Sequence, residues 1–166
     1  MAGGRLLLLT GRPGVGKTTV LRRVAGSHRA SGFLTEELRR QGRRVGFRIA
    51  PFGGPPRVMA HVDFGEPRVG RYGVDVAAID EVAERALRPG SDLYLVDEIG
   101  KMECLSETFV RRMSALLDAE RVVATIALEG RGFIATARRH PDAELHEVTT
   151  ENRDRLVEEV GAWISR

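Results

Sequence analysis

The sequence holds one cysteine, Cys104, so it has no internal disulfide. A lone thiol suits a reducing compartment, and a cytoplasmic location is the expectation. The four histidines, His28, His61, His140 and His146, lack the spacing of metal ligands, which argues against a zinc site. No Ser, His and Asp grouping accompanies Cys104, so nucleophilic catalysis is not indicated. Lysine is scarce: of 26 basic residues only Lys17 and Lys101 are lysines, the rest being arginine. No apolar stretch approaches the roughly 20 residues of a membrane span, and LLLLT at 6–10 is far too short. Nothing ahead of residue 11 resembles the apolar core of a signal peptide. Internal repeats, low-complexity tracts and linkers are missing as well.

What remains is a chain of 166 residues, 42% hydrophobic and 30% charged, with a net charge of +3. These values fit a soluble globular protein, expected as a single domain over 1–166 and as a monomer. Two basic clusters, Arg39-Arg40-Gln41-Gly42-Arg43-Arg44 and Arg138-Arg139-His140, are the only footprint a nucleic acid would find. Such clusters are more often solvated turns or helix ends, so a nucleic-acid partner is not expected.

The strongest signal is GRPGVGKT at 11–18, which fits G-x-x-x-x-G-K-[ST]. The apolar run Arg5 to Thr10 reads as a buried strand before it. Val20, Leu21, Val24 and Ala25 mark a helix after it. Gly11, Gly14 and Gly16 let the backbone turn its N–H groups inward toward phosphate oxygens, with Arg12, Pro13 and Val15 between them. The helix that follows adds its positive end. Lys17 is placed for the β- and γ-phosphates, and the Thr18 hydroxyl is the expected Mg²⁺ ligand, with Thr19 next in the helix.

Residues 33–74 read as an antiparallel β excursion. Phe33–Leu38 and Val45–Ala50 are strand-like, with RRQGRR as a polar turn between them. Arg57–Phe64 and Val69–Val74 follow. Gly32 is the expected C-cap of the first helix. Val76–Leu87 is helical by pattern and stops at Arg88-Pro89-Gly90. Asp92–Val96 and Val122–Leu128 are continuous apolar strands. Ser106 can cap a helix carrying Phe109, Val110, Met113, Leu116 and Leu117. A short helix over 132–139, a weak strand over 144–148 and a final helix capped by Thr150 complete the chain. Helices alternating with buried strands predict an α/β fold: a mainly parallel sheet covered on both faces, with the excursion as an edge or flap.

LYLVDE at 93–98 is the second motif, an apolar strand ending in two carboxylates. Asp97 is placed to bind Mg²⁺. Glu98, one residue on, is placed to polarise an attacking water. Ile99-Gly100-Lys101-Met102-Glu103 follows, and Lys101 either reaches phosphate or base or is a surface lysine.

VDEIGKME at 96–103 is preceded by GRPGVGKTT and GFLTEELR and followed by VTTENRD. With these motifs the chain resembles the small nucleoside-triphosphatase family described from thermophiles, whose animal members are called cancer-related nucleoside triphosphatases. The resemblance also covers GRRVGFRI at 42–49 and VGRYGVDV at 69–76. It implies a P-loop nucleoside-triphosphatase fold, a three-layer α/β/α sandwich of the additional-strand, catalytic-glutamate type. It implies Mg²⁺-dependent hydrolysis of ATP, GTP and other nucleoside triphosphates to diphosphate and phosphate. It also implies that Gly11–Thr18 and Val96–Glu103 (Val96, Asp97, Glu98, Ile99, Gly100, Lys101, Met102, Glu103) contact the nucleotide.

Several residues stay open on sequence alone. One carboxylate of Thr35-Glu36-Glu37 either joins the metal shell or pairs with Arg39. Thr125 either senses the γ-phosphate or is an ordinary strand threonine. Arg71, in a compact glycine-flanked segment, is the first candidate for an arginine acting on the transferring phosphoryl, ahead of Arg43 and Arg44. Strict guanine selection is not supported, because no N/T-K-x-D signature is present. Two other functions compete with hydrolysis: a nucleotide or small-molecule kinase, and a nucleotide-switched nucleic-acid-binding module.

Overall fold

The computed structural model describes residues 4–166. The chain begins with β1 (Leu6–Thr10), α1 (Lys17–Ala25), β2 (Ser31–Arg40), β3 (Arg43–Pro51), β4 (Arg57–His61), β5 (Arg68–Val69) and β6 (Tyr72–Val74). It continues with α2 (Val76–Ala86), β7 (Tyr94–Ile99), α3 (Glu107–Ala119), β8 (Val122–Ile126), α4 (Phe133–Arg138), β9 (Ala143–Glu147) and α5 (Arg153–Ile164). A single 3₁₀ turn, Glu103–Leu105, links β7 to α3. No helix among the described residues is long and apolar enough to cross a membrane.

The nine strands of the described residues form one sheet in the order β5-β6-β4-β3-β2-β7-β8-β1-β9. The run β2-β7-β8-β1-β9 is parallel. Strand β8 is therefore inserted between the strand that feeds the glycine-rich loop and the strand that carries Asp97. The remaining strands pair antiparallel. Every residue of β1 and β8 is buried, which explains why neither alternates in sequence.

Side chains leave the two sheet faces into separate cores. Leu6, Leu8, Phe33, Val96 and Ala124 pack with α2, α3 and α4 through Ile79, Phe109, Met113 and Ile134. Leu7, Leu9, Leu95 and Val123 pack with α1 and α5 through Leu21, Val24, Leu156 and Trp163. Each such burial contributes about 1.5–3 kcal/mol. Ser106 caps α3, accepting from Phe109 N at 3.0 Å. Asp75 caps α2, accepting from Ala78 N at 3.1 Å.

Four sequence expectations are corrected. RRQGRR is not a loose turn: β2 and β3 run through its arginines, and only Gln41 (φ 51°) and Gly42 (φ 76°) turn the chain. Both residues are left-handed, as a two-residue hairpin requires. Three of the arginines find side-chain partners there: Arg39 and Arg44 pair with Glu37, Arg44 also lies over the Phe47 and Tyr72 rings, and Arg40 pairs with Asp63. Gly26, not Gly32, closes α1, donating to Arg22 O at 3.1 Å. Gly32 lies inside β2 at φ 110°, where a Cβ would come 2.0 Å from Leu95 O. Residues 69–74 are not one strand but the β5–β6 hairpin turning at Gly70-Arg71. Finally, α5 starts at Arg153 rather than behind a Thr150 cap. Thr149 and Asn152 bond reciprocally instead, at 2.7 and 3.1 Å, in the turn before it.

Candidate active site

The glycine-rich loop leaves the C-terminal end of β1 and enters α1 at Gly16, whose φ of 114° excludes an ordinary side chain. Val15 N donates to Arg12 O at 3.2 Å and tightens the loop. The first-turn N–H groups of α1 have no acceptor within the helix and form an anion-seeking end. Lys17 Nζ donates to Gly11 O at 2.7 Å and Arg12 O at 3.4 Å, so the ammonium sits across the loop. Arg12, Pro13, Gly14 and Thr19 are exposed, and Val15 to Thr18 are half-buried.

Asp97 stands opposite, at the end of β7, and is only 1% exposed. Its Oδ1 accepts from Thr18 Oγ1 at 3.1 Å and Thr125 Oγ1 at 2.7 Å. Its Oδ2 accepts from Thr35 N at 3.2 Å and Thr35 Oγ1 at 2.9 Å. Four donors from α1, β2 and β8 thus meet at one carboxylate. Hydrogen bonds to an ionised acceptor are the stronger kind, and these fix its orientation. All the donors are neutral, so the negative charge stays uncompensated.

Glu98 follows, half-buried. Burial pushes its carboxyl above the usual range; Lys17 opposes that push and Asp97 adds to it. A base raised this way holds a proton more readily than a solvated carboxylate. Glu103 is fully enclosed, and burial, with Glu98 and Asp97 nearby, pushes it well above the carboxylate range. A Cβ on Gly100 would lie 3.0 Å from Glu103 Oε1 and 3.5 Å from Glu98 Cδ, so the glycine leaves room between the two acids. Burial, then Glu103 and Glu98, push the Cys104 thiol up to about 12.

The structure divides the second motif. Val96 and Ile99 are core side chains at 0% exposure, and Met102 packs against the same core. Lys101 is exposed. Of the remaining side chains, Asp97 bonds Thr18 of α1 and Glu98 feels the charge of Lys17. Glu37 pairs with Arg39 and Arg44, and Glu36 with Arg48. Arg71 is on the β5–β6 turn. Its Nη2 donates to Arg44 O at 2.7 Å and to Tyr72 Oη at 2.9 Å, and its guanidinium lies over the Tyr72 ring. In the second basic cluster Arg139 is exposed, whereas Arg138 and His140 are half-buried. Arg138 donates to Thr10 Oγ1 at 3.0 Å and Ala127 O at 3.1 Å, and His140 faces Asp118.

Sequence reasoning did not connect Thr35 and Thr125 to Asp97, nor single out Arg153, whose Nη1 is 3.4 Å from Val15 O on the loop. A threonine at the C-terminal end of a strand neighbouring the acidic one is the signal that was available. Among the described residues no cluster of three or more His, Cys, Asp or Glu is arranged to hold a metal. Any cation here would rely on Asp97 and the Thr18 hydroxyl.

The family model described as NTPase matches residues 6–161. The chain belongs to this nucleoside-triphosphatase family. The nucleoside-triphosphatase THEP1 of Thermotoga maritima is 38% identical over 160 residues, which is 93% of this chain and 92% of that protein. The human cancer-related nucleoside-triphosphatase is 32% identical, covering 94% of each. The crystal structure of THEP1 from Aquifex aeolicus superposes with a TM-score of 0.87 at 36% identity, over 96% of this chain and 99% of that one. The expected P-loop nucleoside-triphosphatase fold is thereby established.

Proposed function

We propose that this nucleoside-triphosphatase is a Mg²⁺-dependent phosphohydrolase that converts ATP, GTP, CTP and UTP to the diphosphate and phosphate. The observation that carries the reading is Asp97, buried, bonded by three threonines and facing the loop, with half-buried Glu98 beside it. The loop N–H groups and Lys17 hold the β- and γ-phosphates, and Lys17 neutralises charge that builds on them. Hard oxygen donors suit Mg²⁺, and Asp97 with Thr18 Oγ1 is the pair that would hold it. Bound there, the ion would supply neutralisation of the negative charge on the phosphates. Glu98 orients the attacking water and accepts its proton. The water oxygen bonds to the γ-phosphorus, and the bond from that phosphorus to the β–γ bridging oxygen breaks.

Broad base tolerance is supported by the missing guanine-selecting signature and by the relatives, which are named for nucleoside triphosphates without a base. The test compares phosphate release from the four nucleotides by the native chain and by Glu98→Gln. Release from all four is expected, falling about 10²–10⁴-fold in the variant while nucleotide binding persists. Binding without release by the native chain would overturn the reading in favour of a kinase or a switch.

A further inference from the structure

We propose that Arg48 is the arginine that stabilises the γ-phosphoryl group during transfer, supplied by the antiparallel excursion of the same chain. The inference rests on the hydrolase reading above and assigns it a residue. Along β2 and β3, Phe33, Phe47 and Ile49 enter the α2–α3 core, whereas Leu34 and Phe52 pack toward α1 and α5. Glu36 keeps step with Leu34, and Arg48, its cross-strand partner, keeps step with Phe52. Both therefore lie on the sheet face of α1, the helix that follows the phosphate loop. Glu37, Phe47 and Tyr72 are on the opposite face, and Arg44 and Arg71 are tied to them.

Position along the strand brings Arg48 level with the end of the sheet that carries Asp97. Thr35 binds Asp97 through both N and Oγ1. Glu36 is the next residue, about 3.4 Å further along β2. Helix α1 touches β2 at this level, Arg22 Nη2 donating to Thr35 O at 3.2 Å. The Glu36–Arg48 pair thus stands one residue beyond the Asp97 clamp along β2, on the sheet face that α1 covers. Both Nε and Nη2 of Arg48 donate to the single oxygen Oε2 of Glu36, Nε at 2.9 Å. The side chains are 41% and 37% exposed, so the pair is weakly held against water and salt. A guanidinium fork that rests on one carboxylate oxygen matches the geometry of a phosphoryl group. Glu36 holds Arg48 until the triphosphate binds, and the fork then turns to the γ-oxygens. No bond to Arg48 forms or breaks; its role is electrostatic.

The test uses the full chain with Arg48→Ala and Arg48→Met, the latter keeping the aliphatic stem should the former fold poorly. Two readouts are taken: the kcat of phosphate release, and the affinity for a fluorescent ADP analogue with and without aluminium fluoride in Mg²⁺ buffer. Aluminium fluoride with a diphosphate imitates the transferring phosphoryl. The expected result is a kcat reduced at least about tenfold, toward the 10³-fold seen for such arginines. Diphosphate affinity changes less than about threefold, and the fluoride-dependent tightening disappears. A kcat within about twofold of native with the tightening intact overturns the assignment and leaves the hydrolase reading standing. A native chain that binds ADP but neither releases phosphate nor tightens with fluoride overturns both.

Discussion

Asp97 and Glu37 are both heavily hydrogen-bonded carboxylates, and they behave in opposite ways. Asp97 is buried and takes four bonds from neutral hydroxyl and amide donors. Glu37 is 42% exposed and takes its bonds from the guanidinium groups of Arg39 and Arg44. Burial would raise Glu37, but the two arginines outweigh it and hold the carboxyl below its usual range. The charge of Glu37 is thus cancelled where it lies, and the excursion gains a tied hairpin. The charge of Asp97 is oriented without being cancelled and remains free to act on a cation. Neutral donors build a site; cationic donors build a strut.

Four measurements sharpen this contrast. The largest effect belongs to the cation held on the loop itself: Lys17→Ala should lower phosphate release about 10²–10³-fold, read in the same assay as Glu98→Gln. Next comes the clamp itself. Thr125→Val keeps the volume and removes one buried donor, and should cost about 1.5–3 kcal/mol in urea unfolding. A smaller, pH-dependent effect is expected at Glu103. Its folded carboxyl binds a proton more tightly than the unfolded one, so the native state is favoured at low pH. That advantage is lost as pH rises from the ordinary 4.5 through the raised folded value. Glu103→Gln should flatten this part of the stability–pH curve and make the variant relatively more stable at alkaline pH. The smallest effect is on the strut, where Glu37→Gln should change stability by under about 1 kcal/mol, and by less in high salt. A loss at Glu37 equal to that at Thr125 would erase the distinction.

The loop at 11–18 was legible because eight consecutive residues carry it and the flanking runs decide strand and helix. The layered sheet was legible because buried parallel strands write themselves as unbroken apolar runs. The clamp was not, since Thr18, Thr35 and Thr125 are 79, 62 and 28 residues from Asp97 and only the fold brings them together. RRQGRR misled because four arginines beside a glycine have the polarity of a turn, while the backbone pairing continues through Arg39–Arg44 and Arg40–Arg43. Gly32 misled because a positive φ serves a helix cap and a close strand contact equally well. Arg71 stood out by its glycine neighbours, a criterion that takes no account of the face alternation along β2 and β3 from which Arg48 is proposed.

Those sequence separations also have a kinetic meaning. One carboxylate closes three chain loops of very different length, and the entropy of each closure is met before its bond forms. Helices α1 to α5 form from local contacts and need none of them. During refolding the helical signal should therefore recover first. Phosphate release should return only with the last closure at Asp97, so the catalytic centre serves as the molecule's own report that folding is complete.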